Sequence, residues 1–307
     1  YFILFLLLLD LTILLDRFLH FLPIRCRENR KAFRKYLVIG GVGLVVILLL
    51  IGHGNARTVR EYRVPIEIEK SCGPLEKVRI IYLSDLHLGT TVGPGHLQKV
   101  LELVGNARPD LILLGGDIID ADIDRIEQNE LGELLSRFRA PLGVFAVTGN
   151  HEYIAGIERS TAYLRRAGIT LLRDRWIKIA DSFYLAGRDD LAGGWRGETR
   201  KDLDGLLAGI DFSCPVILLD HQPARLEEES ESGVDLILCG HTHHGQLFPV
   251  NLITKAIYGW SWGLTEKNGT LIYISSCAGT WVPPVRIVNT PEIVILYVRF
   301  SPGSCRS

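Results

Sequence analysis

Five short apolar runs in this chain each end in a side chain able to bind a metal, and that recurrence limits the fold more than anything else in the sequence. Ile81-Tyr-Leu-Ser runs into Asp85 and His87, with Gly89 behind them. Leu111-Ile-Leu-Leu leads through Gly115-Gly116 to Asp117, and Val144-Phe-Ala-Val-Thr-Gly leads to Asn150-His151-Glu152. Val216-Ile-Leu-Leu-Asp ends in His221, and Val234-Asp-Leu-Ile-Leu-Cys-Gly ends in His241-Thr-His243. In extended backbone, residues two apart point to one side, so Asp85 and His87 should leave their strand end together. A single Asp-x-His is as well explained by a capping Asp beside a surface His. Five such endings call for a common cause. In open α/β sheets, sites form beyond the carboxyl ends of the strands, and mixed carboxylate and imidazole donors suit a divalent metal.

Between these runs lie segments with helical spacing. His96–Asn106 carries Leu97, Val100, Leu101 and Val104, Asp120–Phe138 carries Ile123, Ile126, Leu131, Leu134 and Leu135, and Ile157–Ala167 is a third. This is the strand-helix-strand rhythm of a sheet covered by helices. The second half is richer in short strands: Ile169–Leu172, Trp176–Ile179, Phe183–Ala186, Leu271–Ser275 and Ile293–Phe300, with a short helix over Leu203–Ala208. Val64–Glu69 alternates apolar and polar residues, and Pro65 suits an edge strand. The pattern predicts an α/β fold of two packed sheets with helices outside.

Taken together, Asp85-x-His87, Gly116-Asp117, Gly149-Asn150-His151-Glu152, His221 and Gly240-His241-Thr242-His243 resemble the calcineurin-like metallophosphoesterase family over roughly residues 76–300. The membrane-anchored arrangement and the segment Gly279-Thr-Trp-Val-Pro-Pro-Val-Arg286 look like its bacterial YkuE-like branch. The resemblance implies a four-layered α/β/β/α sandwich carrying two divalent metals, with Mn, Fe and Zn all compatible. It implies that Asp85, His87 and His243 hold the first metal, that Asn150, His221 and His241 hold the second, and that Asp117 bridges them. It implies that His151 is catalytic, stabilising the phosphate and protonating the leaving oxygen. The activity implied is hydrolysis of a phosphate monoester, diester or pyrophosphate by attack of metal-bound hydroxide. A rival reading is a pyrophosphatase acting on UDP-2,3-diacylglucosamine in lipid A synthesis, whose substrate is cytoplasmic. A rival of another class is an inactive binding scaffold, although all eight residues are present.

Other residues are weaker candidates. Glu152 is either a partner that orients an imidazole or a solvated acid. Asp120 and Asp122 are expected to cap a helix, Asp189 and Asp190 to lie in a solvated turn, His96 on a helix surface and His244 outside the metal shell. Arg188 and Arg286 are either substrate contacts or surface residues. Trp260, Trp262 and Trp281 are expected to wall the cleft, meet a bilayer interface or pack in the core.

Ahead of this region, Tyr36–Gly54 is apolar and free of acids and bases until His53, about long enough to span a bilayer. A buried core helix or a signal peptide is the alternative. Tyr1–Leu22 is also apolar but contains Asp10, Asp16 and His20, and it is expected to be a second transmembrane helix. The loop Arg25–Lys35 between them holds six basic residues, against three over Asn55–Arg63. The positive-inside rule therefore puts the loop in the cytoplasm and the rest of the chain outside the cytoplasmic membrane. The organisation expected is a membrane anchor over 1–54, a linker and entry strand over 55–75, the phosphoesterase domain over 76–300 and a tail over 301–307. The substrate could then be lipid-linked, with the membrane as the other partner. A formal net charge of −1 gives no electrostatic reason to expect nucleic acid. The six cysteines are scattered without a CxxC pair and read as core residues or free thiols, with a disulfide left open. No Met occurs, position 1 included, so the chain is expected to be part of a longer one or to lack its Met positions.

Overall fold

The computed structural model describes residues 1–20, 29–120, 123–128 and 131–302. The expectations for Arg25, Cys26, Arg27, Asp122, Cys305 and positions 303–307 of the tail fall outside them. The chain divides into two compact units, Tyr1–Gly54 and Asn55–Ser307.

The first unit contains the helix Phe2–Leu19 and most of the helix Arg30–Ala56. Among the described residues, one stretch, Lys31–Ala56, is long and apolar enough to cross a membrane. Phe2–Leu19 is helical as expected, but Asp10, Asp16 and Arg17 leave it without a comparable uncharged run. Asp10 is paired with Arg34 at 3.1 Å.

The second unit is built on two six-stranded sheets. The strands are β1 (Arg60–Ile68), β2 (Lys77–Leu83), β3 (Leu111–Gly115), β4 (Val144–Val147), β5 (Thr170–Leu171), β6 (Arg175–Ile179), β7 (Phe183–Gly187), β8 (Val216–Leu219), β9 (Leu236–Cys239), β10 (Gly263–Lys267), β11 (Thr270–Ile274) and β12 (Glu292–Phe300). The first sheet has the order β1-β12-β2-β3-β4-β5 and the second β10-β11-β9-β8-β7-β6. β2 to β5 run parallel, as do β7, β8, β9 and β11. β12 is antiparallel to β2, while β6 and β10 close the second sheet as antiparallel edges. Pro65 lies in β1, an edge strand, where its missing N–H interrupts no central ladder.

Alternation within each strand makes the layers. Ile81, Leu83, Ile112 and Leu114 face outward against the helices Pro94–Ala107 and Ile157–Arg166, in a core that includes Leu97, Val100 and Leu164. Ile80, Tyr82, Leu111 and Leu113 face inward, where they meet Leu185, Ile217, Leu219, Leu236 and Leu238 of the second sheet. On the far side of that sheet, Val216, Leu218 and Ile237 pack with Leu203, Leu206 and Leu207 of the helix Leu203–Leu207. The result is the α/β/β/α sandwich.

Four local features depart from expectation. The helix expected over Asp120–Phe138 is two short ones, Ile123–Gln128 and Leu131–Leu135, and Asp120 is withdrawn from it by a partner described below. A six-residue helix, Asn150–Ala155, starts at the end of β4. The helix Val250–Tyr258 and strand β10 have no counterpart in the sequence reading. Cys72 and Cys214 form a disulfide across 142 residues, tying the segment after β1 to the residue pair that precedes β8. Cys239 and Cys277 are free and buried.

Candidate metal centre

The ends of β2, β3 and β4 in one sheet and of β8 and β9 in the other converge on one place. The chain does not run straight there. Asp85, His87, Asp117, His241 and His243 have φ of 53°, 48°, 49°, 65° and 48°. Non-glycine residues occupy this left-handed region at a cost and cluster at functional sites. Asp85 and His87 are therefore presented by left-handed turns, where the sequence reading had expected extended backbone. The turns are cross-linked by backbone bonds: Asp85 N–H to Gly116 O (3.0 Å), His87 N–H to Asp117 O (2.9 Å) and Gly240 N–H to His221 O (2.9 Å). The packing leaves no room at two glycines. A Cβ at Gly240 would collide with Ser84 and Asp85, and one at Gly149 would collide with Asp117.

Three groups of ligand atoms result among the described residues, two built from the expected ligands and a third from His87, Asp120 and His151. In the first, Asp85, His87 and His243 offer atoms within 4.8 Å of one another. His243 Nε2 is 3.4 Å from Asp85 Oδ1, and the Nε2 atoms of His87 and His243 are 3.1 Å apart. In the second, Asp117, His221 and His241 meet the same limit. Asp117 Oδ2 is 3.2 Å from His221 Nε2 and 3.9 Å from His87 Nε2, so one oxygen faces both groups. Its Oδ1 accepts the His151 N–H at 2.8 Å. The donors fit metal ions on two counts. The Asn150 Oδ1 is shielded from solvent with no hydrogen-bond partner among the described residues. His221 donates Nδ1–H to Gly115 O at 2.7 Å, which leaves Nε2 facing a carboxylate oxygen, and against its burial the Asp117 and Asp85 charges raise the His221 pKa, so that positive charge is favoured between the two atoms. A metal ion supplies that charge as well as a proton does, and an imidazole held through its other nitrogen is the usual form of a metal-binding His. Burial, and next the neighbouring His221, push the His241 pKa down to about 4, leaving it the neutral imidazole that ligation requires.

His151 stands beside these groups. Its Nδ1 is 3.0 Å from Asp120 Oδ1, and Asp120 also lies 3.7 Å from His87 Nδ1. Burial alone would lower the His151 pKa. The carboxylate of Asp120 3.0 Å away and the charge of Asp117 reverse this and raise it. Asp120 thus faces His151 and His87 in place of the expected helix cap. The sequence signal for it was available: an acidic residue three positions after Asp117, at a strand end.

Other expectations change as well. Glu152 is fully buried and accepts four backbone N–H groups: Asp117 (3.0 Å), Ile118 (2.8 Å), Ile119 (2.9 Å) and Gly149 (2.7 Å). It is neither solvated nor bonded to an imidazole. Burial, and then the Asp117 charge, raise its pKa to about 7, against the four donors. Arg188 and Arg286 are buried. Arg188 pairs with Glu229 at 2.7 Å, and Arg286 donates to Ser276 O at 2.7 Å and stands 3.3 Å from His243 Nδ1. Asp189 and Asp190 are buried too, the first bound to Arg173 and Thr148, the second capping Ala192 and accepting from Gln222. His96 bonds Ala278 O at 2.7 Å, and His244 bonds Ser261. Trp262 is packed, donating to Glu292 and edge-on to Tyr62, whereas Trp281 lines a cavity of about 360 Å³ with His87, Asn150, His151 and His241.

Comparison with known proteins identifies relatives of this chain. Residues 78–245 match the family described as calcineurin-like phosphoesterase. An uncharacterized metallophosphoesterase of Helicobacter pylori is 34% identical over 92% of this chain and 74% of its own length. A Danio rerio protein named transmembrane protein with metallophosphoesterase domain is 31% identical over 83% of this chain and 61% of its own. The uncharacterized metallophosphoesterase YkuE of Bacillus subtilis is 28% identical over 81% of this chain and 90% of its own.

Glu152→Gln tests the joint under the site. A glutamine keeps one acceptor oxygen and turns an amide NH2 toward two of the four N–H groups. Leaving two buried donors unpaired should cost about 2–4 kcal/mol, read from chemical denaturation of the two proteins side by side.

Proposed function

The chain belongs to the calcineurin-like phosphoesterase family, and from that premise we propose that it is a membrane-tethered hydrolase of phosphate esters that uses two divalent cations. Asp85, His87 and His243 would hold one cation, Asn150, His221 and His241 the other, with Asp117 shared. The observation that carries this reading is Asp117 Oδ2, which faces His221 Nε2 at 3.2 Å and His87 Nε2 at 3.9 Å. Bound divalent cations supply charge neutralisation at the phosphoryl oxygens and lower the pKa of an attacking water. The chain's own residues do the rest. Two carboxylates set against four imidazoles and an amide leave a loaded site net positive and attractive to phosphate. Asp120 holds His151 in orientation and favours its protonated form. That ring gives a proton to the departing ester oxygen. The donor set suits Mn, Fe or Zn.

Three observations support a tether with the catalytic unit outside the cytoplasm. Lys31–Ala56 is able to span a bilayer. The Danio rerio relative is named as a transmembrane protein. The Cys72–Cys214 disulfide belongs to an oxidising compartment and is rare in a reducing cytosol. A reporter active only in the cytoplasm, fused after residue 307, should be silent. If it is active, the orientation is inverted and a lipid-linked nucleotide pyrophosphatase of the cytoplasmic face becomes the better reading.

Metal analysis of the loaded chain should return two equivalents. Asp117→Asn should lower both, because the amide is a weaker bridge, and loss of a single equivalent would deny it the shared position. His151→Gln should keep both metals and lose about 10²–10⁴-fold in kcat. Asp120→Asn should lose about 10–100-fold, the range for partners that orient a functional group. A His151 variant within threefold of the parent at equal metal content would take His151 out of the mechanism.

A further inference from the structure

One wall of the candidate metal centre is apolar and faces solvent. None of the nine residues of the helix Val250–Tyr258 is buried. Val250, Ile253 and Ile257 fall on one face of it and line the cavity that also holds His87, Asn150 and His241. Ile253 is 54% exposed and Ile257 67%. At the inner end, the Tyr258 ring is edge-on to His241 with centroids 6.2 Å apart, so the apolar strip begins against a candidate ligand. Trp281, which also lines the cavity, is 54% exposed, and its chain neighbour Val282 55%. From Phe248 to Trp262 the chain contains one charged residue, Lys255, and no acid.

The rim carrying Trp281 is also where the tether enters the catalytic unit. Asn55 donates from its side chain to Arg286 O at 3.1 Å, and Thr280 Oγ1 donates to Ala56 O at 3.4 Å. Gln246, three residues after His243, donates to Trp281 O and Pro283 O at 2.9 Å each and fixes the rim to the ligand loop. Chain connectivity therefore keeps the apolar lip within a few residues of the stretch able to span a bilayer. Exposed Trp with Lys and no acid is the composition favoured at a lipid interface.

We propose that the cavity takes a membrane-resident amphiphile, its phosphoester at the ligand cluster and its hydrocarbon chain along Val250, Ile253 and Ile257. This deepens the phosphoesterase reading and rests on it. A polar substrate would leave this wall wet, whereas a hydrocarbon chain removes apolar surface from water on both sides. In the reaction, the oxygen of a water bonds to phosphorus and the bond from phosphorus to the lipid oxygen breaks. One proton of the water reaches the departing oxygen through His151 and the other remains on the phosphate. From a monoester the products are the lipid alcohol and phosphate; from a p-nitrophenyl diester the aryl oxygen departs instead and the products are p-nitrophenol and the alkyl phosphate.

The test uses the full chain, metal-loaded, in phosphatidylcholine nanodiscs. Butyl and octyl esters are compared, each as the phosphate monoester and as the p-nitrophenyl diester. The octyl ester should exceed the butyl ester in kcat/KM by at least about tenfold, as expected when four more methylenes are buried. Partition into the bilayer favours the longer ester for any tethered enzyme, so the double variant Ile253→Ser/Ile257→Ser carries the decision. Both positions are exposed and belong to no buried core cluster. The variant should lower the octyl-to-butyl ratio at least about fivefold at equal metal content. An unchanged ratio overturns the proposal and leaves the phosphoesterase reading standing. Hydrolysis of no ester with both metals bound removes that reading and this inference with it. A parent that is dimeric in detergent, a variant that is monomeric, and equal ratios in the two would instead assign the wall to a second copy of the chain and overturn the proposal.

Discussion

One buried carboxylate sets the positions of most of the residues that matter. Glu152 gathers the N–H groups of Asp117, Ile118 and Ile119 from the turn after β3 and of Gly149 from the turn after β4. The bridging candidate Asp117 and the pair Asn150-His151 belong to those same turns, so their separation is set by bonds to one side chain. Gly149 has no side chain because Asp117 occupies that space. On the other side, Asp85 does similar work while being a candidate ligand. It accepts the His241 N–H at 3.0 Å and so ties the end of β2 to the turn after β9 in the second sheet. Glu152 thus fixes two turns of the first sheet to each other, and Asp85 fixes that sheet to the second at the site.

Behind the second ligand group lies a denser arrangement of charge. Arg188 pairs with Glu229 at 2.7 Å and approaches Asp220 at 3.8 Å, while Arg200 pairs with Asp220, the residue before His221. Burying ions carries a desolvation cost that pairing offsets in part, so such a cluster is weak evidence for stability. What it does here is geometric: Asp220 is held from two directions, and His221 follows it directly in the chain.

What could be read from the sequence is local. Strand ends were legible because each apolar run stops at a Gly or a polar residue, and alternation in β2, β3 and β8 assigns their two faces. The convergence of Asp85, Asp117, Asn150, His221 and His243 followed from where such strands end. The backbone at those ends was not legible. Extended geometry would place Asp85 and His87 on one side, but both sit at positive φ; Asp and His are among the residue types enriched there, yet the residue type does not say which positions adopt it. Buried charge was illegible as well. Arg188, Asp189, Asp190 and Arg286 look like surface residues until their partners are known, and the partner of Arg188 is 41 residues away. Cys72 and Cys214 are farther apart still. The helix Val250–Tyr258 is short, and although Val250, Ile253 and Ile257 share one face and Asn251 and Lys255 the other, the sequence reading assigned no element there.

The place of β12 ties the assembly of this protein to the order of its synthesis. That strand, Glu292–Phe300, is the last of the twelve and lies between β1 and β2, which are made more than two hundred residues earlier. Until it emerges, β1 has no neighbour and β2 lacks one of its two. Contacts that span most of a chain are slow to form because loop closure comes first. A nascent chain thus holds an open slot in its first sheet. Glu292 N–H bonds Cys277 O, and the Ala278 and Gly279 N–H groups bond Ser84 O and Asp85 O, so that slot borders the first ligand group. The sheet that carries Asp85 and His87 is completed late, when nearly the whole unit has been made.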